Sequence, residues 1–348
     1  MELFGTILIA ILIFGFLIFI HELGHYIFAR IFNVTVLEFS IGMGPKILSY
    51  TSKKTNITYA ISAIPIGGYV AMAGEDGESD DPNSFDKKPA WQRLIITVAG
   101  ATINIVAGFI LMIVYTLMVN IGGTTIYDFR PVEDTGYTVS TSDYLEAGDT
   151  IIAVNGKSVG IADELSYEIM RYGNEPVDLT VVRDGKQITL EDVIFPTLES
   201  QGQVFGVMDF IIYATEKNFG SVLEYSMRKG VLMMRMCWES VYDLIVGRYT
   251  LEAVSGPIGI SSAIGEAASV GIEPLIYLSA LITINLGIMN LLPIPALDGG
   301  RTLTILIEMI TRKRMPPKVE NTINAVGLAL LLGLSVLVMI KDVIGLFV

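Results

Sequence analysis

Both histidines of this 348-residue chain, His21 and His25, lie four positions apart, and Glu22 directly follows the first. On an α-helix, residues i and i+4 share one face, so both imidazoles can reach a single ion. The pattern H-E-x-x-H on a helix is typical of zinc hydrolases, in which the two histidines bind the metal and the glutamate takes a proton from water. The three residues therefore predict a hydrolytic zinc centre.

The surroundings of the motif favour a metal site over two histidines that only hydrogen-bond within a helix bundle. Residues 3–20 are almost wholly apolar. An ionisable side chain within a membrane span costs several kcal/mol unless it is paired or liganded. The chain has no further histidine, so a chance pairing at ligand spacing explains the pattern poorly.

A catalytic zinc usually takes three protein ligands and keeps a fourth position for water. No histidine remains, so the third ligand must be a carboxylate or the single cysteine, Cys237. Asp298 is the favoured candidate because it lies at the inner end of an apolar segment, beside helix-breaking prolines. Glu308, a few turns further along the chain, is the weaker alternative.

The segment that carries Asp298 reads N-L-L-P-I-P-A-L-D-G-G-R over residues 290–301. Its two prolines interrupt helical hydrogen bonding, and Gly299 and Gly300 are expected to loosen the chain again. Irregular backbone at membrane depth is tolerated only where it is buried in protein or lines a water-filled cavity. The segment therefore predicts a broken helix that faces a site.

The elements that must position these residues are membrane helices. The chain is 52% hydrophobic and only 17% charged, whereas about a quarter of the residues of a soluble domain are charged. Glu2 stands where a cleavable signal peptide carries basic residues, so the first apolar segment is expected to stay attached. Four segments are long enough to span a bilayer, at about residues 3–28, 94–121, 274–292 and 322 to the C-terminal end.

The net charge of −13 is unevenly distributed, because residues 121–229 hold 18 acidic and 8 basic side chains. An acidic surface argues against binding nucleic acid or anionic lipid, and indicates a water-facing domain. Clustered lysines and arginines between the first two spans and between the last two place those loops in the cytoplasm. The N-terminus and the acidic domain then lie outside, and the metal lies towards the cytoplasmic side.

A short β-hairpin is predicted on the cytoplasmic side, over residues 56–73. Residues 56–64 and 69–73 have the composition of strands, and residues 65–68 would form the turn between them.

The acidic region, residues 122–220, is predicted to be a compact β-rich domain. A strand at residues 150–154 precedes an Asn155–Gly156 turn, a helix is expected over residues 163–171, and a second hairpin turns at Asp184–Gly185. This order resembles a PDZ domain, a fold that takes an extended peptide onto a sheet edge.

The predicted fold is thus a polytopic α-helical membrane protein with about four transmembrane helices, a membrane-associated β-hairpin and an inserted β-rich PDZ-like domain. An amphipathic, interfacial stretch follows that domain, because Arg235, Glu239 and Asp243 form one charged stripe on an otherwise apolar helix. The transmembrane core comprises residues 1–121 and 273–348, the PDZ-like domain residues 122–220 and the linker residues 221–272.

The motifs together resemble the site-2 protease family, and more closely its bacterial regulator-of-sigma-E (RseP-type) intramembrane metalloproteases. The resemblance is carried, in order along essentially the whole chain, by H-E-L-G-H at residues 21–25, G-G-Y-V-A-M-A-G-E at 67–75, S-G-P-I-G-I at 255–260 and the L-D-G motif at 297–299. One PDZ-like unit is found where some members carry two.

The resemblance implies a zinc endopeptidase of the bacterial cytoplasmic (inner) membrane that holds one Zn²⁺ per chain. Its substrates would be membrane-anchored proteins, such as anti-sigma factors or signal-peptide remnants, cut within the lipid bilayer. It assigns His21, His25 and Asp298 as the metal ligands and Glu22 as the catalytic base.

The resemblance also gives the hairpin a role. A helical substrate hides its carbonyl groups in helical hydrogen bonds, so a strand edge at Gly67, Gly68, Tyr69 and Val70 could pair with its unwound backbone. Asn290 could hold a substrate carbonyl in the same way. Ordinary packing is the alternative for each of these residues.

Two functions from other classes compete with the protease. One is a catalytically inactive metal-binding membrane scaffold with a peptide-binding PDZ-like domain, but a structural metal site needs no base such as Glu22. The other is a metal transporter, which usually needs several intramembrane carboxylates or histidines along a path.

Overall fold

Four helices are long and apolar enough to cross a membrane: Gly5–Ile31, Ala90–Met118, Ile272–Leu291 and Pro317–Ile344. They confirm the prediction of a polytopic helical membrane protein. The computed structural model describes residues 2–75, 77–130, 139–200, 203–248 and 254–345.

The α-helices among these residues are α1 (Glu2–Ile31), α2 (Ala90–Met118), α3 (Ala162–Tyr172), α4 (Phe219–Ile245), α5 (Pro257–Val270), α6 (Ile272–Leu291), α7 (Asp298–Thr311) and α8 (Pro317–Gly345). The strands are β1 (Val36–Thr51), β2 (Thr58–Met72), β3 (Gly122–Phe129), β4 (Thr150–Val154), β5 (Lys157–Ser158), β6 (Val177–Arg183), β7 (Lys186–Val193), β8 (Thr197–Ser200), β9 (Gln203–Gly206) and β10 (Phe210–Ala214).

The chain divides into two compact units, of which the first comprises Met1–Leu111 and Met233–Val348. Within it, α1 ends in a Schellman motif. Asn33 adopts a left-handed conformation with φ of 53°. The N–H of Asn33 donates to the carbonyl of Arg30, and the N–H of Val34 donates to that of Ala29. These bonds satisfy carbonyls that the helix end would otherwise leave free, and the chain enters β1 two residues after Val34.

Strands β1 and β2 form a sheet in which the first half of β1 lies between the two halves of β2. Ser40, for example, is partnered with Ala60 on one side and with Tyr69 on the other. Residues 68–72 therefore form an outer edge of this sheet, with β1 as their strand partner in the described part of the chain. The predicted strands at 56–64 and 69–73 lie largely within β2, but they pair with β1 and not with each other. The turn predicted at residues 65–68 is wrong, because these residues continue the strand.

Helices α2 and α6 approach closely through small residues. A Cβ at Gly108 would lie 2.4 Å from Cγ1 of Ile284, and one at Gly287 would lie 2.8 Å from the carbonyl oxygen of Ala101. Small residues at helix contacts are how membrane helices gain packing without a hydrophobic driving force between them.

The second unit, Met112–Leu232, contains a sheet with the strand order β10-β3-β4-β6-β7. Its hairpin turns occur where the sequence predicts them, since Asn155 and Gly156 have φ of 48° and 74° and Asp184 and Gly185 have φ of 51° and 74°. Positive φ at both central residues is typical of the type I′ turn. The PDZ-like assignment stays a prediction, and residues 131–138 and 201–202 of that region lie outside the described residues.

Candidate metal centre

His21 and His25 occupy successive turns of α1, so their imidazoles lie on one face of the helix, edge to face with an interplanar angle of 79°. Both are buried, each 9% exposed, and their Nε2 atoms are 3.2 Å apart. Asp298, the first residue of α7, brings its Oδ2 atom to 3.2 Å from Nε2 of His21 and 3.3 Å from Nε2 of His25. Residues separated by more than 270 positions in the sequence thus present three ligand atoms to one point.

The spacing of these atoms fits a tetrahedral zinc ion. Zinc binds nitrogen and oxygen at about 2.0–2.1 Å, so the ligand atoms of a tetrahedral site lie about 3.3 Å from one another. The three measured separations match this value. Oδ2 of Asp298 is also buried and faces both Nε2 atoms, which is the arrangement that a cation bound by all three atoms would require.

The non-helical segment between α6 and α7, residues 292–297, places Asp298 beside the two histidines. Leu292 ends α6 with an extended backbone, and Ala296 has φ of 73°. The expected loosening by Gly299 and Gly300 is wrong, because both lie in the first turn of α7 and are buried. A Cβ at Gly299 would lie 2.0 Å from the carbonyl oxygen of Leu292. The glycines therefore let the loop fold tightly against the helix.

The second nitrogen of His25 has a fixed partner. Its Nδ1 atom lies 2.9 Å from the carbonyl oxygen of Ile96, an acceptor that requires a proton on Nδ1. In the neutral ring Nε2 is then unprotonated, and its lone pair is directed towards the candidate metal position. A backbone carbonyl on the outer nitrogen is the usual way in which proteins orient a metal-binding histidine.

A cavity of about 160 Å³ opens beside the three ligand atoms. Glu22 faces it from α1, and the predicted substrate-binding residues Gly68, Tyr69 and Val70 line it from the edge of the β1–β2 sheet. Gly68 lies against Glu22, since a Cβ added there would be 3.0 Å from the Cγ atom of Glu22. The remaining lining residues are His21, His25, Met72, Glu75, Ile96, Thr97, Asp298 and Arg301.

The other residues singled out from the sequence lie elsewhere. Gly67 does not line this cavity; it packs on Met43, with φ of 83°. Asn290 lies in the last turn of α6, partly buried, and is likewise not in the lining. Glu308 forms a salt bridge of 2.5 Å with Arg93. Cys237 is not in the group of ligand atoms found among the described residues.

Sequence reasoning missed an ion pair at the cavity wall. Arg301, one turn after Asp298, pairs with Glu75 at the end of the β1–β2 sheet. The carboxylate of Glu75 also accepts a hydrogen bond of 3.2 Å from the backbone N–H of Met72. The pair links the helix of Asp298 to the strand edge. Its members lie 226 residues apart, so no local pattern could indicate it.

Comparison with known proteins agrees with the geometry. The model of peptidase family M50 matches residues 9–334. A curated protein of Clostridium acetobutylicum is 35% identical over 346 residues, which covers 98% of this chain and 98% of the relative. Zinc metalloprotease RasP of Shouchella clausii is 28% identical, with 99% of this chain and 100% of the relative covered. Regulator of sigma-W protease RasP of Bacillus subtilis is 28% identical, with 99% of each chain covered. The family match spans nearly the whole chain and includes all three candidate ligands, so the chain belongs to peptidase family M50, the site-2 protease family.

Proposed function

We propose that the protein is an intramembrane zinc endopeptidase that cleaves single-span membrane proteins within the bilayer. One observation carries the proposal: three ligand atoms at tetrahedral spacing and a glutamate share a cavity whose wall is an open strand edge. These parts lie among helices apolar enough to cross a membrane.

His21, His25 and Asp298 would hold one Zn²⁺ per chain. Bound zinc supplies Lewis-acid chemistry, which lets water attack an amide near neutral pH. The orientation of His25 by the carbonyl of Ile96 fixes one ligand before any ion arrives.

Glu22 would act as the general base. Its position next to His21 on α1 and in the cavity lining gives it access to the attacking water. It would take one proton from that water and later pass it to the nitrogen of the leaving amine. General acid–base catalysis of this kind typically contributes 10²–10⁴-fold to a rate.

The edge at residues 68–72 would receive the substrate as an added strand. The backbone N–H and C=O groups of an edge strand can form hydrogen bonds with an unwound peptide. A substrate segment that leaves its helix within the hydrocarbon region needs such partners, because the lipid offers none. Asn290 would hold a substrate carbonyl near the end of α6.

The substrate class follows from the membrane setting and from the relatives. The name of the Bacillus subtilis relative, regulator of sigma-W protease, supports anti-sigma-factor-type regulators as substrates, with signal-peptide remnants as a second group. The N-terminus and the PDZ-like domain would lie outside the inner membrane, and the active site would lie towards the cytoplasm.

The test uses purified full-length protein in detergent with zinc. Its substrates are a panel of single-span membrane proteins that carry tags at both ends and shortened ectodomains. Mass spectrometry should locate cleavage within the span for the parent. Glu22→Gln should retain zinc and lose cleavage, whereas cleavage that persists in this variant, or products cut only outside the span, would overturn the proposal.

A further inference from the structure

Asn104 is a fully buried polar residue in the middle of α2, with 0% of its surface exposed. Its Nδ2 atom lies 3.4 Å from Nδ1 of His21. Its Oδ1 atom is buried and has no hydrogen-bond partner among the described residues. A buried amide oxygen without a hydrogen-bond partner is unfavourable, so the arrangement calls for an explanation.

The tautomer of His21 decides whether Asn104 must donate a hydrogen bond to Nδ1 or accept one from it. The contact of Asn104 with Nδ1 of His21 fits either tautomer of the neutral ring: Nδ1 accepts from the amide nitrogen when the ring proton is on Nε2, and donates to the amide oxygen when the proton is on Nδ1. When Nε2 binds a metal, its lone pair is used and the proton must be on Nδ1. Nδ1 then becomes a donor and needs an acceptor in place of the amide nitrogen.

An amide can serve both states. A half-turn about the Cβ–Cγ bond exchanges the nitrogen and oxygen of Asn104 with little change in shape. The oxygen that lacks a partner then faces the N–H of His21. Among the described residues, Asn104 is the hydrogen-bonding partner found for Nδ1 of His21. The carbonyl of Ile96 has the corresponding position at Nδ1 of His25.

We propose that Asn104 is a positioning residue for the metal ligand His21, and that its amide presents Nδ2 to the metal-free ring and Oδ1 to the metal-bound ring. The inference rests on the proposed function only in taking His21 as a zinc ligand. It adds that α2 orients both histidines, one through a backbone carbonyl and the other through a side chain.

The test measures zinc affinity of the full-length protein in detergent, by competition with a chromogenic chelator. Asn104→Leu keeps the size of the side chain and removes its hydrogen bonds, so we expect zinc affinity to fall by about 10–100-fold, the usual effect of removing such a partner. Asn104→Asp keeps the acceptor oxygen and should retain most of the parent's affinity. Asn104→Ala should behave as the leucine variant does, and replaces it if the leucine variant does not fold.

Thr116→Val is the matched control, because Thr116 is also fully buried on α2 and lies three turns from the site. The unfolding temperature of each chelator-treated variant separates loss of packing from loss of metal orientation. Parental zinc affinity in Asn104→Leu or Asn104→Ala would overturn the inference. So would a loss in Asn104→Asp as large as in Asn104→Leu, because packing alone would then account for both.

The experiment also keeps this inference apart from the proposed function. If the parent binds no zinc, or if His21→Ala binds it as well as the parent does, the metal centre itself is wrong. If the parent binds zinc, His21→Ala does not, and the asparagine variants match the parent, then the role of Asn104 alone fails.

Discussion

The backbone of Gly100 on α2 lies directly against the imidazole of His25 on α1: a Cβ at Gly100 would be 2.3 Å from Nε2 of His25 and 2.9 Å from Cε1 of His21. The contact is reciprocal, since a Cβ at Gly24 would meet the Cα of Gly100 at 2.8 Å. The two helices touch beside His21 and His25, and neither glycine position has room for a side chain.

Gly100→Ala should therefore release zinc. Alanine is normally favoured over glycine within a helix by about 1 kcal/mol, so a loss of metal would come from displaced imidazoles and not from a weakened helix. Metal analysis of purified protein checks this. Gly333→Ala is the control, because nothing lies within 4 Å of a Cβ at that position of α8. Full zinc content in Gly100→Ala would contradict the described packing.

Asp298→Ala and Asp298→Asn should both lose zinc, because each leaves only two ligands for an ion that needs three protein donors at a catalytic site. Glu308→Gln should keep it, since Glu308 is paired with Arg93 and lies outside the ligand group. Zinc content measured after dialysis against a weak chelator distinguishes the two carboxylates. The reverse pattern would assign the third ligand to Glu308.

Gly68→Ala should lower the rate of cleavage and leave zinc bound. The new methyl group would lie 3.0 Å from Cγ of Glu22 and 2.9 Å from the carbonyl oxygen of Ser40, so either Glu22 or the strand edge must shift. A misplacement of about 1 Å can cost about 10²-fold in rate. We expect kcat to fall by about that factor. Gly77→Ala, in open space, should match the parent in rate and in metal content.

The stability of the second unit should depend on Asp149, a buried acidic residue. Burial alone would raise the pKa of Asp149, but hydrogen bonds from Arg183 and from the backbone N–H of Glu146 outweigh it and hold the pKa below its ordinary value. A carboxyl with a lowered folded-state pKa stabilises the fold above its unfolded pKa of about 3.9, and this stability is lost as the pH falls through the folded-state pKa.

Asp149→Asn should therefore destabilise β4 and β6 near pH 7, by about 1.5–3 kcal/mol for the charged hydrogen bonds removed. The difference from the parent should shrink as the pH falls below 4, where the parent's carboxylate also becomes protonated. Hydrogen exchange of peptides from β4 and β6 in the full-length protein measures this, after correction for the intrinsic pH dependence. A difference that stays constant with pH would show that the charge of Asp149 contributes nothing.

The sequence predicts the spans and the histidine pair well because their signals are local. Apolar length and the i, i+4 spacing of His21 and His25 need no knowledge of the fold. The absence of a third histidine and the position of Asp298 beside helix-breaking prolines rank it first. Its closeness to the histidines depends on the tight packing of Gly299 and Gly300, which from the sequence alone are expected to loosen the chain.

The missed features depend on contacts between distant segments. The sequence of β1 contains Gly42, Gly44 and Pro45, which obscure the alternation of apolar and polar residues that indicates a strand. The first half of β1 nevertheless lies between the two halves of β2. Gly100 is one small residue among several in an apolar helix, and only its neighbour in space gives it a role. The same holds for Asn104, whose polarity indicates a partner without identifying it.

The Schellman motif at the end of α1 has a consequence for bond selection. It leads within a few residues from the helix of His21 and His25 into β1, and β1 holds residues 68–72 as the exposed edge. The helix of His21 and His25 and the strand edge are thus joined by a short, hydrogen-bonded connection. In a peptide aligned on that edge, the bond to be hydrolysed would lie at a constant depth below the lipid surface. The position of a bond within the bilayer, more than the identity of the neighbouring side chains, would then determine which bond breaks.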